Sequence, residues 1–169
     1  CQPKASYYSF KRASAPILLS MTKKDEDYNI YVISDEKCGV NGELTLYTLN
    51  ESGINKIDTE TICAPAMVST IVKTVSRSVL KKGEVLIAEL KTNDKTYRTF
   101  YREGTLPITS TNAVKITNQT ENSITVTADS YVHAVEIDGE YVFEDNYFSL
   151  LPGESKTVSF KKAREHQND

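Results

Sequence analysis

A chain of 169 residues with 39% hydrophobic and 25% charged side chains can build one medium domain or two small ones, and has the composition of a globular protein. Its formal charge of −3 offers no electrostatic case for a nucleic-acid partner. No apolar run approaches the roughly 20 residues of a membrane span, Ala15-Pro16-Ile17-Leu18-Leu19 being about the longest, so no membrane partner is expected.

The first residues do not read as a charged-then-apolar leader, and a start at Cys1 rather than Met suggests a piece of something longer. Residues 3 to 13 are predicted to form a helix. Pro3 suits its first turn, and Tyr7, Phe10 and Ala13 recur along one side as the stripe expected to seek a partner surface. Pro16 marks its end, because the residue before a proline is pushed out of the helical region.

Strand signals follow. Tyr28, Ile30 and Val32 alternate with Asn29, Tyr31 and Ile33, so both faces carry apolar groups. Gly39 and Gly42 precede the run Leu44 to Leu49, and Asn50-Glu51-Ser52-Gly53 reads as a hairpin connection into Ile54 to Ile62. With Ile17 to Met21, Val68 to Val75, Val85 to Leu90 and Lys95 to Tyr101, these make seven short strands in the pattern of an immunoglobulin-type antiparallel sandwich. Glu103-Gly104-Thr105-Leu106-Pro107 breaks the pattern and is the expected boundary.

A second, smaller set is predicted at Val114 to Ile116, Ile124 to Ala128 and Val132 to Ile137. Asp138-Gly139 is read as a hairpin turn into Tyr141-Val142-Phe143. Asp145-Asn146-Tyr147-Phe148-Ser149-Leu150-Leu151-Pro152-Gly153-Glu154 then reads as a corner that buries its aromatics, with Asp145, Tyr147, Phe148, Leu150, Pro152 and Gly153 as its structural motif. Pro presets φ at the first central turn position and Gly accepts the positive φ of a type II turn next, before the closing run Thr157 to Phe160.

The expected fold is therefore all-β: two tandem immunoglobulin-like β-sandwich domains preceded by a short helix. The expected limits are 1–14 for helix and linker, 15–105 and 106–163 for the sandwiches, and 164–169 for a polar tail.

The search for chemistry gives no catalytic, cofactor-binding or metal residue. Cys1, Cys38 and Cys63 are odd in number and lack a C-x-x-C pair, so they are read as free, partly buried thiols, with a Cys38–Cys63 bridge as the alternative. Asp25-Glu26-Asp27 lacks the spaced ligands and turn glycine of a calcium loop and is read as a solvated loop. His133 shares strand parity with Val135 and Ile137, which marks it as packed or at an edge, and His166 lies in the tail. Neither has a nucleophile context. Asn50-Glu51-Ser52 and Asn118-Gln119-Thr120 fit the N-glycosylation pattern and are read as coincidental. Among the late aromatics, Phe143, Phe148 and Phe160 are expected to build the small core, with tyrosines capping its edges. The sharper alternative is a sugar-stacking surface with Tyr131 and Tyr141 as the candidate sugar-facing residues.

Pro3-Lys4-Ala5-Ser6-Tyr7-Tyr8-Ser9-Phe10-Lys11-Arg12-Ala13, running into Ala15-Pro16-Ile17-Leu18-Leu19-Ser20, resembles a junction in family-2 glycoside hydrolases of the β-mannosidase type. There the last helix of the catalytic barrel hands over to C-terminal immunoglobulin-like domains. The run Asp145 through Glu154 is similar to the final such domain, where Asp-Asn-aromatic-Phe-x-Leu-x-Pro-Gly-Glu precedes the last strand. Ser14 departs from the bulkier residue usual at the junction. The two matches frame nearly the whole chain, while residues 21 to 140 match only as a strand pattern.

The resemblance implies a non-catalytic accessory region of a retaining enzyme that acts on β-linked glycosides, chiefly mannosides, through two glutamates on its barrel. Its implied partners are the catalytic barrel of the same parent chain and the carbohydrate substrate of that parent, with no cofactor; the sequence does not name the compartment, and a periplasmic or secreted parent is compatible with the resemblance. Asn50-Glu51 superficially matches the Asn-Glu pair at the acid/base position of such enzymes, but its hairpin context reads as a turn. The other readings are a carbohydrate-binding module and a tandem immunoglobulin-like adhesion or interaction protein.

Overall fold

The computed structural model describes residues 3–104 and 113–162. These divide into two compact units, residues 14–104 and residues 3–13 together with 113–162. Cys1, the boundary residues 105–107, His166 and the tail from 163 lie outside the described residues.

In the unit of residues 14–104 the strands are β1 (Ile17–Lys24), β2 (Asp27–Ser34), β3 (Val40–Asn50), β4 (Gly53–Ala64), β5 (Val68–Ser76), β6 (Val85–Lys91) and β7 (Thr96–Arg102). They form two antiparallel sheets, β1-β2-β5 and β4-β3-β6-β7. Alternation sends one face of each strand inward. Leu19, Ile30 and Val32 of one sheet meet Leu44, Leu46, Ala88 and Leu90 of the other in one buried cluster. Gly42 is required where β3 passes β6, because a Cβ there would lie 2.6 Å from the Lys91 carbonyl oxygen.

The Asn50–Gly53 hairpin forms as the sequence predicts. Asn50 pairs with Gly53 across a two-residue loop, Asn50 Oδ1 accepts from the Ser52 N–H at 2.9 Å, and Gly53 takes φ 123°. At the end of β7, Glu103 accepts hydrogen bonds from Lys23 Nζ at 3.1 Å, Tyr28 Oη at 3.0 Å and Arg77 Nη2 at 3.0 Å. Lys23 first, then Tyr28 and Arg77, hold its carboxyl below the usual range. Cys38 and Cys63 are free, and both are exposed rather than partly buried. Asn41 is the residue that faces Cys63 across the β3–β4 ladder, so the register leaves Cys38 three positions away.

The other unit holds α1 (Ala5–Ala13), β8 (Val114–Gln119), β9 (Ser123–Ala128), β10 (Val132–Val135), β11 (Tyr141–Phe143), β12 (Phe148–Leu150) and β13 (Ser155–Lys162). Its sheets are β11-β13-β9-β8 and the pair β10-β12. Ile124, Val126 and Ala128 of β9, Val158 and Phe160 of β13, and Phe143 pack against Val135, Phe148 and Leu150. The outward positions of β9 and β13 carry hydroxyls that pair across the strands, Thr125 with Thr157 at 2.8 Å and Thr127 with Ser155 at 2.7 Å.

Two sequence expectations are corrected in this unit, at Asp138-Gly139 and at His133, while the exposed Tyr7 and Phe10 of α1 remain, among the described residues, without the partner surface that their stripe seeks. Asp138-Gly139 does not close a hairpin: β10 pairs with β12 and β11 with β13, so the segment between them crosses from one sheet to the other. His133 does not share the inward parity of Val135. A register shift with Ala134 at φ 55° separates Val132 from Val135 and leaves His133 exposed, its Nδ1 3.0 Å from Ser149 Oγ. On α1, the buried aromatic is Tyr8, 1% exposed, while Tyr7 and Phe10 of the predicted stripe are 51% and 72% exposed. The face turned to the sheet is Tyr8, Lys11 and Arg12, spaced i, i+3, i+4, because their polar ends find acceptors there.

Candidate docking site on the C-terminal module

The connection between β11 and β12 is built to hold α1. Tyr8 Oη donates to the Phe143 carbonyl at 3.1 Å and Lys11 Nζ to the Glu144 carbonyl at 2.7 Å. Arg12 then spans three acceptors: Nη1 reaches Asp145 Oδ1 at 2.7 Å and the Asn146 carbonyl at 2.9 Å, and Nη2 reaches the Tyr147 carbonyl at 3.2 Å. A planar guanidinium suits this array because its donors are fixed in a fork. Lys156 Nζ closes on Asp145 Oδ2 at 2.5 Å, so both carboxylate oxygens are engaged by cations.

The loop keeps its shape through Asn146, which is buried. Its Oδ1 accepts from the Ile137 N–H at 2.8 Å and the Tyr147 N–H at 3.0 Å, and its Nδ2 donates to the Ile137 carbonyl at 2.8 Å. Tyr147 sits at φ 55°, a left-handed conformation unusual for a tyrosine. Its hydroxyl donates to Glu136 Oε1 at 2.5 Å, which is the main reason its pKa is raised. Burial raises that of Tyr8.

The rest of the corner motif serves packing and a turn. Phe148 and Leu150 are buried, and Lys156 Nζ lies 4.2 Å from the Phe148 ring centre. Leu151-Pro152-Gly153-Glu154 is a β-turn: the Glu154 N–H donates to the Leu151 carbonyl at 3.0 Å, and Gly153 takes φ 77°, the type II geometry.

The two candidate sugar-facing tyrosines are not brought together on one sheet. Tyr141 lies on β11, 39% exposed, its ring 4.6 Å from that of Phe160. Tyr131 is half-buried in the connection just before β10, a strand of the other sheet. Asn50-Glu51 forms the hairpin described above, and Asp25 with Glu26 forms the two-residue turn between β1 and β2. Among the described residues, no three His, Cys, Asp or Glu side chains are grouped to hold a metal ion.

Sequence reasoning missed Lys11, Arg12 and Asn146 as site residues. Basic residues in a last helical turn are favourable for any helix, so Lys11 and Arg12 carry no distinguishing signal. Asn146 was legible only as one letter of the corner motif.

Residues 107–169 match the Ig_mannosidase family, described as an Ig-fold domain. Among solved structures, a β-D-mannosidase from Dictyoglomus thermophilum is similar with TM-score 0.71 and 20% identity, over 95% of this chain and 21% of that one. The exo-chitosanase of Amycolatopsis orientalis is similar with TM-score 0.61 and 19% identity, over 92% of this chain and 24% of that one. The chain thus spans between a fifth and a quarter of these proteins' length. No curated protein sequence matches it.

Proposed function

From the premise that residues 107–169 are an Ig-fold domain of the Ig_mannosidase family, we propose that this chain is the non-catalytic accessory region of a longer β-mannosidase-like glycoside hydrolase. Its role is to brace the catalytic barrel of the same parent chain and to form part of the rim around the substrate. In this reading α1 is the last helix of that barrel, residues 15–105 and 106–163 are successive sandwiches, and the final one grips the helix. The observation that carries it is the Arg12 contact with Asp145, Asn146 and Tyr147. It joins the two sequence motifs that resemble such enzymes, and it gives the last domain a rigid hold on the first helix.

Retaining glycoside hydrolysis needs two carboxyl groups about 5 Å apart around a sugar pocket. The parent's barrel supplies them in this reading, and the chain alone is expected to hydrolyse no aryl β-mannoside. Turnover abolished by mutating one of the chain's own acidic residues would overturn the proposal. The bracing role has its own test in the parent enzyme. Arg12→Ala is expected to lower the thermal midpoint of barrel and last domain together, and independent melting with an unchanged barrel midpoint would count against it. Rim contact through Tyr141 predicts that manno-oligosaccharide binding weakens in Tyr141→Ala. An unchanged titration would remove this residue from the rim.

A further inference from the structure

Beside α1 the C-terminal module carries a groove of about 640 Å³, within the size range of ligand pockets. Tyr7, Val142, Phe143 and Phe160 supply its apolar lining, and Lys11, Lys161 and Glu144 are its charged lining residues. Two ammonium groups against one carboxylate leave it net positive, in a chain whose formal charge is −3. Lys11 Nζ donates to the Glu144 carbonyl at 2.7 Å. Tyr7 is 51% and Val142 37% exposed, so apolar surface stands open beside these charges.

The form of the occupant follows from the strand edge. β11 is the outer strand of its sheet, but the Phe143 carbonyl is already taken by Tyr8 Oη, which blocks continuous pairing with an added strand. An occupant therefore enters through its side chains. The groove is continuous with the α1 contact, since Tyr7 and Lys11 flank Tyr8 and Arg12 on the same helix.

We propose that this groove docks an acidic, apolar segment of the parent's catalytic barrel. A large apolar side chain would rest on Phe143 and Phe160, and a neighbouring carboxylate would lie near Lys11 and Lys161. The inference rests on the accessory role proposed above.

The probe is 4-phenylbutyrate, an aryl group and a carboxylate on one short chain, titrated into the whole 169-residue protein and followed by amide NMR. Millimolar binding is expected, with shifts at Tyr7, Val142, Phe143 and Lys161. The cationic counterpart 4-phenylbutylamine should bind roughly 10-fold more weakly, because its charge is of the wrong sign. Lys161→Gln should weaken the acid several-fold and leave distant signals unmoved. Equal binding of acid and amine, or shifts confined to other surfaces, would overturn the charge and site assignment.

A photo-crosslinker at Val142 of the parent enzyme should capture its own barrel at an acidic, apolar segment. Capture of a second copy, or of no barrel residue, would overturn the choice of partner. Failure of the accessory role would show differently, as turnover by the chain itself, with probe binding intact.

Discussion

Arg12 Nη1 and Asp145 Oδ1 meet at 2.7 Å, although 133 residues separate them. The pair ties the first helix to the corner motif of the last module, and its side chains are 40% and 26% exposed. Partial exposure limits its strength, since water and salt screen the charges. Arg12→Ala is expected to destabilise the unit by about 1–2 kcal/mol through three lost hydrogen bonds. Urea titration followed at the NMR signals of Phe143 and Phe160 checks this. Arg12→Lys should recover less than half, since an ammonium cannot reproduce the fork.

Asn146 should matter more than Arg12. It is 5% exposed and satisfies both backbone groups of Ile137. Asn146→Ala leaves a buried N–H and a carbonyl without partners and is expected to cost about 2–4 kcal/mol. The same urea titration should rank the two variants, and a smaller effect for Asn146→Ala would show that water replaces its side chain.

Met67 predicts a change of opposite sign. It sits at φ 55° in the connection between β4 and β5, with its residue 67% exposed. Glycine adopts that conformation without the Cβ clash, and little packing is lost. Met67→Gly is expected to raise stability by about 0.5–1 kcal/mol, read as a higher thermal midpoint. A lowered midpoint would mean that the side chain contributes more packing than its exposure suggests.

Tyr28 should steepen the alkaline unfolding of the unit formed by residues 14–104. Burial first, then its hydrogen bond to Glu103, pushes its hydroxyl up to about 12 from an ordinary 10.0. The folded state therefore holds this proton more tightly than the unfolded chain. That contribution is complete below about pH 10 and is lost as pH rises towards 12, with a slope of at most about 1.4 kcal/mol per pH unit. Tyr28→Phe should flatten this limb in denaturation measured from pH 9 to 12. An equally steep fall in the variant would assign the loss to other groups.

Much of the architecture was legible because strand alternation and turn chemistry are local. The seven strands β1 to β7, the Asn50–Gly53 hairpin and the Pro152-Gly153 turn each rest on residues within a few positions of one another. The misread features share a different cause. Asp138-Gly139 has the composition of a hairpin, yet the strand after it pairs with β13, because Phe143 joins Phe160 in the core. His133 lost its parity to one residue at positive φ, which a period-two count cannot foresee.

The sequence by itself determined that this is a tandem sandwich protein with a leading helix, and it marked the Asp145–Glu154 corner as the most informative stretch. Only the tertiary structure decided what that corner holds. The face of α1 turned to the C-terminal module is Tyr8, Lys11 and Arg12, of which Tyr8 is buried, while Tyr7 and Phe10 stay exposed, since acceptors at Phe143 to Tyr147 stand where those polar ends reach. Helical period defines the possible faces of a short helix, but the partner surface selects one, and here that surface is encoded more than 130 residues downstream.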